Sequence, residues 1–241
     1  VSLFSTRGVS RIHPLWLVLL LLCAIVFMLG FLLSGSLAAI ILGVFGCFMM
    51  VPAIISANKR DDKSHWVFTL IILGLIAIVP VSLYFVALEF QNGSFDDLRL
   101  QFIQVSSLAS QDFSPWGSGP GAFWFVFPQY DYGIITGNVI VNHAHNDYLE
   151  LWLEMRWIFA LSALAMISVY MAQGLHLWFR AKAYRRASVL LARAAWIALL
   201  LLLLHSLVDY PLRTTAILAM AGVLAALLTI PESQRISEEN S

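Results

Sequence analysis

The chain has 241 residues, 60% of them hydrophobic and 12% charged, with 14 basic and 14 acidic side chains and a formal net charge of zero. A soluble domain is nearer half apolar and a quarter charged, so the composition excludes an ordinary soluble globule and points to an integral membrane protein. Zero net charge removes any bulk electrostatic case for nucleic acid as a partner.

The first residue is Val1 rather than Met, and no short cleavable signal pattern precedes the first apolar run, so a fragment or a processed chain is expected. A bilayer crossing needs about 20 apolar residues. The uncharged run from Pro14 to Asn58 is too long for one crossing, and Ser34-Gly35-Ser36 is its natural turn. This predicts spans over Leu15–Leu33 and Leu37–Ser56, followed by a third over Trp66–Ala87. Cys23 and Cys47 lie inside apolar runs and read as small packing residues rather than a disulfide.

A long polar segment, residues 88–147, comes next. Within it, Asp96–Ala109 has Leu98, Phe102 and Val105 near helical spacing and acids in its first turn, which predicts an amphipathic helix on the membrane surface or over the bundle. The stretch Pro115–Phe123, "PWGSGPGAF", has three glycines and two prolines and cannot be regular helix. Composition favours a turn with interface aromatics; the sharper alternative is a loop whose backbone closely approaches a ligand.

Three further spans are predicted: Tyr148–Leu175, Ser188–Val208 and Thr214–Ile230, with a polar tail from Pro231 to Ser241. The architecture is thus all-α, with about six membrane helices divided as residues 1–87, an outer segment 88–147, residues 148–230 and a tail 231–241. Ten Lys and Arg residues lie in the alternate connections that include 57–65 and 176–187, against two, Arg99 and Arg213, on the other side. By the excess of positive charge on the cytoplasmic side, both termini are cytoplasmic and residues 88–147 are outside.

The densest ionisable cluster opens the fourth span: "NHAHNDYLELWLE", residues 142–154. Asn146, Glu150 and Glu154 are spaced i, i+4, i+8 and share a helix face, with Asp147 favourably placed in the first turn. Trp152 and Trp157 suit an interfacial belt. Glu154 lies about 12 Å along the helix from Asn146, so the acidic stripe enters the protein, where ionisable groups usually face a cavity. For His143 and His145 three readings stay open: interfacial loop residues, a general base positioned by Asn146 or a carboxylate, or metal ligands. H-x-H spacing alone ranks them in that order.

A second cluster, His205–Arg213, ends the fifth span on the same side. Pro211 breaks the helix, leaving Asp209 and Arg213 on a tight turn, either as a surface ion pair worth under about 1 kcal/mol or with Arg213 as a phosphate clamp. His205 reads as a satisfied bundle histidine.

Three ordered pieces, "PWGSGPGAF" (115–123), "HAHNDYLELWLE" (143–154) and "HSLVDYPLRT" (205–214), resemble the O-antigen ligase/polymerase family of bacterial polytopic membrane proteins. The resemblance covers the C-terminal half; the first three spans resemble the family only in hydropathy. It implies a multi-helix glycosyltransferase at the periplasmic face of the bacterial inner membrane. Such an enzyme moves a glycan from a polyprenyl (undecaprenyl) diphosphate carrier to an acceptor, with no cofactor and no metal. The acceptor is lipid A-core for a ligase, another carrier-linked repeat for a polymerase, or a protein hydroxyl.

Carried over, His145-Asn146 falls on the family's His-Asn pair, making His145 the catalytic histidine with His143 beside it. Glu150 and Glu154 fall on carboxylate positions, and Arg213 and Arg99 on basic positions suited to diphosphate. Asp209 and the loop glycines Gly119 and Gly121 join the substrate side. Two departures stand out: the family's Glu-x-Gly reads Glu154-Met155-Arg156 here, and members have about twice as many spans. The rival classes are a transporter, which would show paired repeats with broken mid-membrane helices, and a non-catalytic assembly protein.

Overall fold

The computed structural model describes residue 30 and residues 36–57, 97–131, 141–180 and 186–229. The first and third expected spans and the polar tail lie outside the described residues. Among the described residues every regular element is helical, and two stretches, Asp147–Phe179 and Ala187–His205, are long and apolar enough to cross a membrane.

Helix α1 (Leu37–Ala57) starts where the Ser-Gly-Ser turn was expected, and Ser36 Oγ accepts the Ala39 N–H at 3.3 Å as an N-cap. It packs against α5 (Arg186–His205) at Gly46, where a Cβ would stand 2.6 Å from Leu201 Cδ1. Cys47 is a free thiol on the exposed side of α1 rather than a packing residue.

Among the described residues the long polar segment holds two helices. Helix α2 (Asp97–Asp112) matches the expected amphipathic helix, but its buried positions are Phe102, Ser106, Ala109 and Ser110, a narrow face of one aromatic and small residues. Helix α3 (Phe123–Asp131) was not legible: nine residues with Pro128 inside and aromatics on all sides carry no clear period. Phe123, Val126 and Phe127 turn inward and join Phe102, Ala109, Ala144 and Leu153 in one apolar core.

Helix α4 (Asp147–Leu175) is capped by Asn146, whose Oδ1 accepts the Leu149 N–H at 3.0 Å, and it runs into a π-helical turn, His176–Arg180. It is not continuous. Arg156 sits at φ 44°, ψ −117°, breaking the helix into two pieces. The break leaves the Leu153 and Glu154 carbonyls facing the glycine-rich loop, and the Ser118 and Gly119 N–H groups bond to them at 3.0 and 2.9 Å. The contact is backbone on backbone: a Cβ on Gly117 would lie 2.3 Å from Glu154 O.

At the other end of α4, Gly174 lets the helix press onto the Trp196 indole of α5, and Arg193 donates from Nε and Nη2 to the Leu177 carbonyl at 3.1 and 2.9 Å. A 3₁₀ turn (Pro211–Arg213) and α6 (Thr215–Leu227) complete the described fold, with α6 packed on α5. Boundaries of α4, α5 and α6 lie within three residues of those read from the sequence.

Candidate active site

The site forms where the start of α4 meets the turn after α5. Asp147 holds the two together. Its N–H donates to the Ser206 and Asp209 carbonyls at 3.0 and 3.3 Å, and its Oδ2 accepts the Leu212 N–H at 3.0 Å. Asn146 adds a bond from Nδ2 to the Leu207 carbonyl at 2.8 Å. The Asn146 amide thus bonds to backbone at both its nitrogen and its oxygen and fixes the helix start.

The turn so fixed points Arg213 at the acidic stripe. Arg213 Nη2 lies 2.8 Å from Glu154 Oε2 and 3.3 Å from Glu150 Oε1, with the two carboxylates 1% and 2% exposed. The Asp209–Arg213 surface pair, one of the two arrangements the sequence left open, does not form: the 3₁₀ turn carries Arg213 inward while Asp209 stays with the histidines. Asp209 instead has Oδ1 3.5 Å from His145 Nδ1 and Oδ2 3.7 Å from His205 Nε2. Its backbone N–H donates to the Tyr210 carbonyl at 3.2 Å, and among the described residues the guanidinium makes no other hydrogen bond than that to Glu154. The guanidinium carries five N–H donors, and among the described residues Nε and Nη1 make no hydrogen bond.

Glu150 joins Arg213 to the histidines. Its Oε1 also meets His143 Nδ1 at 3.0 Å, and its Oε2 accepts the Ala144 N–H at 3.0 Å. If Glu150 is ionised it only accepts, and His143 then donates to it from Nδ1. Glu154 Oε1 takes the Phe123 N–H at 3.3 Å, tying the start of α3 into the same network.

His145 is 42% exposed against 33% for His143. Its backbone is at φ 51°, the left-handed region, which few non-glycine residues occupy and which is often found at functional sites. Tyr210 touches both imidazoles, stacked on His143 at 4.5 Å and edge-on to His145 at 5.0 Å, and Phe102 stacks on His145 at 6.0 Å.

Of the residues singled out from sequence, His143, His145, Glu150, Glu154, Asp209 and Arg213 thus lie in one contact network. Gly119 and Gly121 lie at its edge with positive φ and open space where a Cβ would be. Arg99 is in the first turn of α2, and its side chain lies outside the described residues. The sequence reading missed Tyr210, Gly117 and the stapling role of Asp147, all of which stand inside or beside motifs it had quoted. Among the described residues no three His, Cys, Asp or Glu side chains are placed to hold one metal ion.

An all-helical membrane protein with a buried carboxylate–guanidinium site beside two histidines is the class these features define. A family profile described as O-antigen ligase matches residues 17–155, more than half of the chain, and the chain belongs to that family. The match extends upstream over the part that resembles the family only in hydropathy, and it stops short of Asp209 and Arg213. Its ligases and polymerases are glycosyltransferase-like enzymes. No curated protein and no solved structure matches the chain.

Proposed function

We propose that the chain is an O-antigen ligase-like glycosyltransferase. It would move a glycan from a polyprenyl diphosphate carrier to an acceptor such as lipid A-core, without a metal, at the periplasmic face of the inner membrane. The observation that carries this reading is the Glu150 carboxylate, which touches His143 on one side and Arg213 on the other. A histidine and a cation thereby share one network at the polar end of an apolar helix, with His145 beside it across the Tyr210 ring.

The reaction needs both. The acceptor hydroxyl attacks the anomeric carbon and gives its proton to His145, the histidine at the family's His-Asn position. The bond from that carbon to the diphosphate oxygen breaks, and the electron pair leaves with the diphosphate. A positioned base supplies roughly 10²–10⁴-fold. Asp209 stabilises the imidazolium that forms, and the open N–H groups of Arg213, with Arg99, meet the charge growing on the leaving group. His143 and Glu150 keep Arg213 in place.

The length of α4 supports this location. Asp147–Phe179 is broken at Arg156, and its uncharged piece, Trp157–Phe179, has 23 residues, about 35 Å at 1.5 Å per residue, against a hydrocarbon core of about 30 Å. Every charged residue of this stretch lies at or before Arg156, and Trp157–Phe179 has none. The part of α4 carrying Asp147, Glu150 and Glu154 therefore extends beyond the hydrocarbon into the headgroup layer. There a substrate that is half lipid and half sugar presents its diphosphate. The proposed topology keeps six spans, residues 88–147 outside and both termini cytoplasmic.

A transfer assay with lipid-linked glycan, run with and without chelator, tests the reading. Product that persists in chelator and disappears in His145→Ala is the expected result. Loss of product in chelator would end the metal-independent mechanism, and full transfer by His145→Ala would remove that residue from the chemistry. A lengthened carrier-linked glycan identifies a polymerase, and movement of the donor without product identifies a transporter.

A further inference from the structure

Residues 113–130 contain no Asp, Glu, Lys or Arg but seven aromatic side chains. Phe123 and Phe127 are in the core, whereas Trp116, Trp124 and Phe125 are 68%, 49% and 59% exposed. An uncharged segment that leaves three large aromatics outside is ill suited to water, and contiguous patches of this kind mark contact with something apolar.

The level of these side chains along α4 is fixed by contacts already described. Trp116 precedes Gly117, which lies against the Glu154 and Met155 backbone, and Trp124 follows Phe123, whose N–H reaches Glu154. The next α4 residues, Trp157 and Ile158, are themselves exposed, and below them the wall of α4 continues with exposed Leu161, Leu164 and Met166. The aromatics of the loop and of α3 therefore stand within about one helical turn, 5.4 Å, of the level at which α4 loses its charges.

We infer that Trp116, Trp124 and Phe125, together with Trp157, form a lipid-facing collar that seats the glycine loop and α3 in the headgroup–acyl boundary of the bilayer. The occupant is the phospholipid surface itself. Continuity with the apolar wall of α4 and the absence of charge over 113–130 favour lipid. Amphipathic aromatic rings partition to that depth. The collar stands apart from the chemistry. Its consequence, that a lipid diphosphate reaches Arg213 without leaving the leaflet, rests on the glycosyltransferase reading.

Nitroxide labels at Trp116→Cys, Trp124→Cys and Phe125→Cys test the inference on the full chain, with Cys23→Ser and Cys47→Ser, in vesicles of phosphatidylethanolamine and phosphatidylglycerol. Labels at Leu164→Cys and Gln111→Cys give the lipid and water references. The expected result is a ratio of oxygen to water-soluble nickel collisions close to that at Leu164. A ratio close to that at Gln111 overturns the collar, as does shielding from both reagents, which would mean a protein or glycan cover. If a cysteine variant does not fold, quenching of tryptophan fluorescence by brominated phospholipid replaces it. Trp124→Phe and Trp116→Phe should each remove quenched signal, and unchanged quenching overturns the inference. Neither readout needs transfer activity, so failure of the enzymatic reading leaves both intact.

Discussion

Arg213 donates from Nη2 to Glu154 Oε2 at 2.8 Å, joining residues 59 positions apart. Three charges share this point, since Glu150 Oε1 is 3.3 Å from the same nitrogen. Removing the guanidinium leaves two buried carboxylates facing each other. Taking one partner from a buried pair typically costs about 3–5 kcal/mol, so Arg213→Met should lower thermal stability in detergent by that order. Glu154→Gln should cost less, because Glu150 still pairs with Arg213. Equal, small losses in the two variants would mean that the network is not buried as described.

The glycine loop gives a sharper comparison. Gly117 and Gly119 both have positive φ, at 92° and 102°. A Cβ on Gly117 would stand 2.3 Å from Glu154 O and 2.6 Å from Met155 N, whereas one on Gly119 meets nothing within 4 Å. Gly119→Ala should then cost only the left-handed strain, about 1–2 kcal/mol. Gly117→Ala adds a clash with backbone that cannot rotate away and should cost clearly more, read as a larger drop in melting temperature. Matching melts for the two would show that the loop is not docked on the helix break.

Which parts of this were legible in the sequence follows from the physics of each signal. Apolar helices declare themselves by the length of their apolar run, so α4, α5 and α6 fall near their expected bounds. The i, i+4 spacing of Glu150 and Glu154 put both carboxylates on one face, and both now meet Arg213. What fills the space opposite is set by tertiary contact, and sequence carries no local mark of it. Pro211 correctly signalled the end of α5, but only the 3₁₀ turn behind it decides that Arg213 faces Glu154 rather than Asp209. Helix α3 is short and aromatic throughout, without the alternation that would separate it from a loop. Gly117 reads with its neighbours as turn chemistry, yet its close approach depends on a helix break 39 residues later.

That break supplies a test of its own. In an ordinary helix interior Gly is about 1 kcal/mol worse than Ala. Arg156, at φ 44° and ψ −117°, occupies a region populated mainly by glycine, as at the first central position of a type II′ turn. The family's Glu-x-Gly has a physical reason at this position. Arg156 holds the conformation with a bond from Nη1 to Ser110 Oγ at 3.1 Å and by lying over the Trp152 ring at 4.9 Å. Arg156→Ala and Arg156→Gly lose the same contacts, but only Gly also relieves the strain. The melting temperature of Arg156→Gly should therefore exceed that of Arg156→Ala, the reverse of ordinary helix propensity. The ordinary order would show that residue 156 is helical.

Tyr210 touches both imidazoles, flat against His143 and edge-on to His145, and the carboxylate of the preceding Asp209 takes the Tyr210 N–H at 2.9 Å. Moving this ring would move the relation between His145 and the Glu150–Arg213 network without removing a charged group. A misplacement of about 1 Å at a reacting centre can cost 10²-fold. Tyr210→Leu should then reduce kcat for glycan transfer by about 10–100-fold while the KM for the lipid-linked donor changes little. Tyr210→Phe keeps the ring and should stay near the wild-type rate. If Phe falls as far as Leu, the hydroxyl rather than the ring is what matters. If Leu transfers at the wild-type rate, the spacing of the two histidines does not limit the reaction, and the assignment of His145 as the base loses its geometric support.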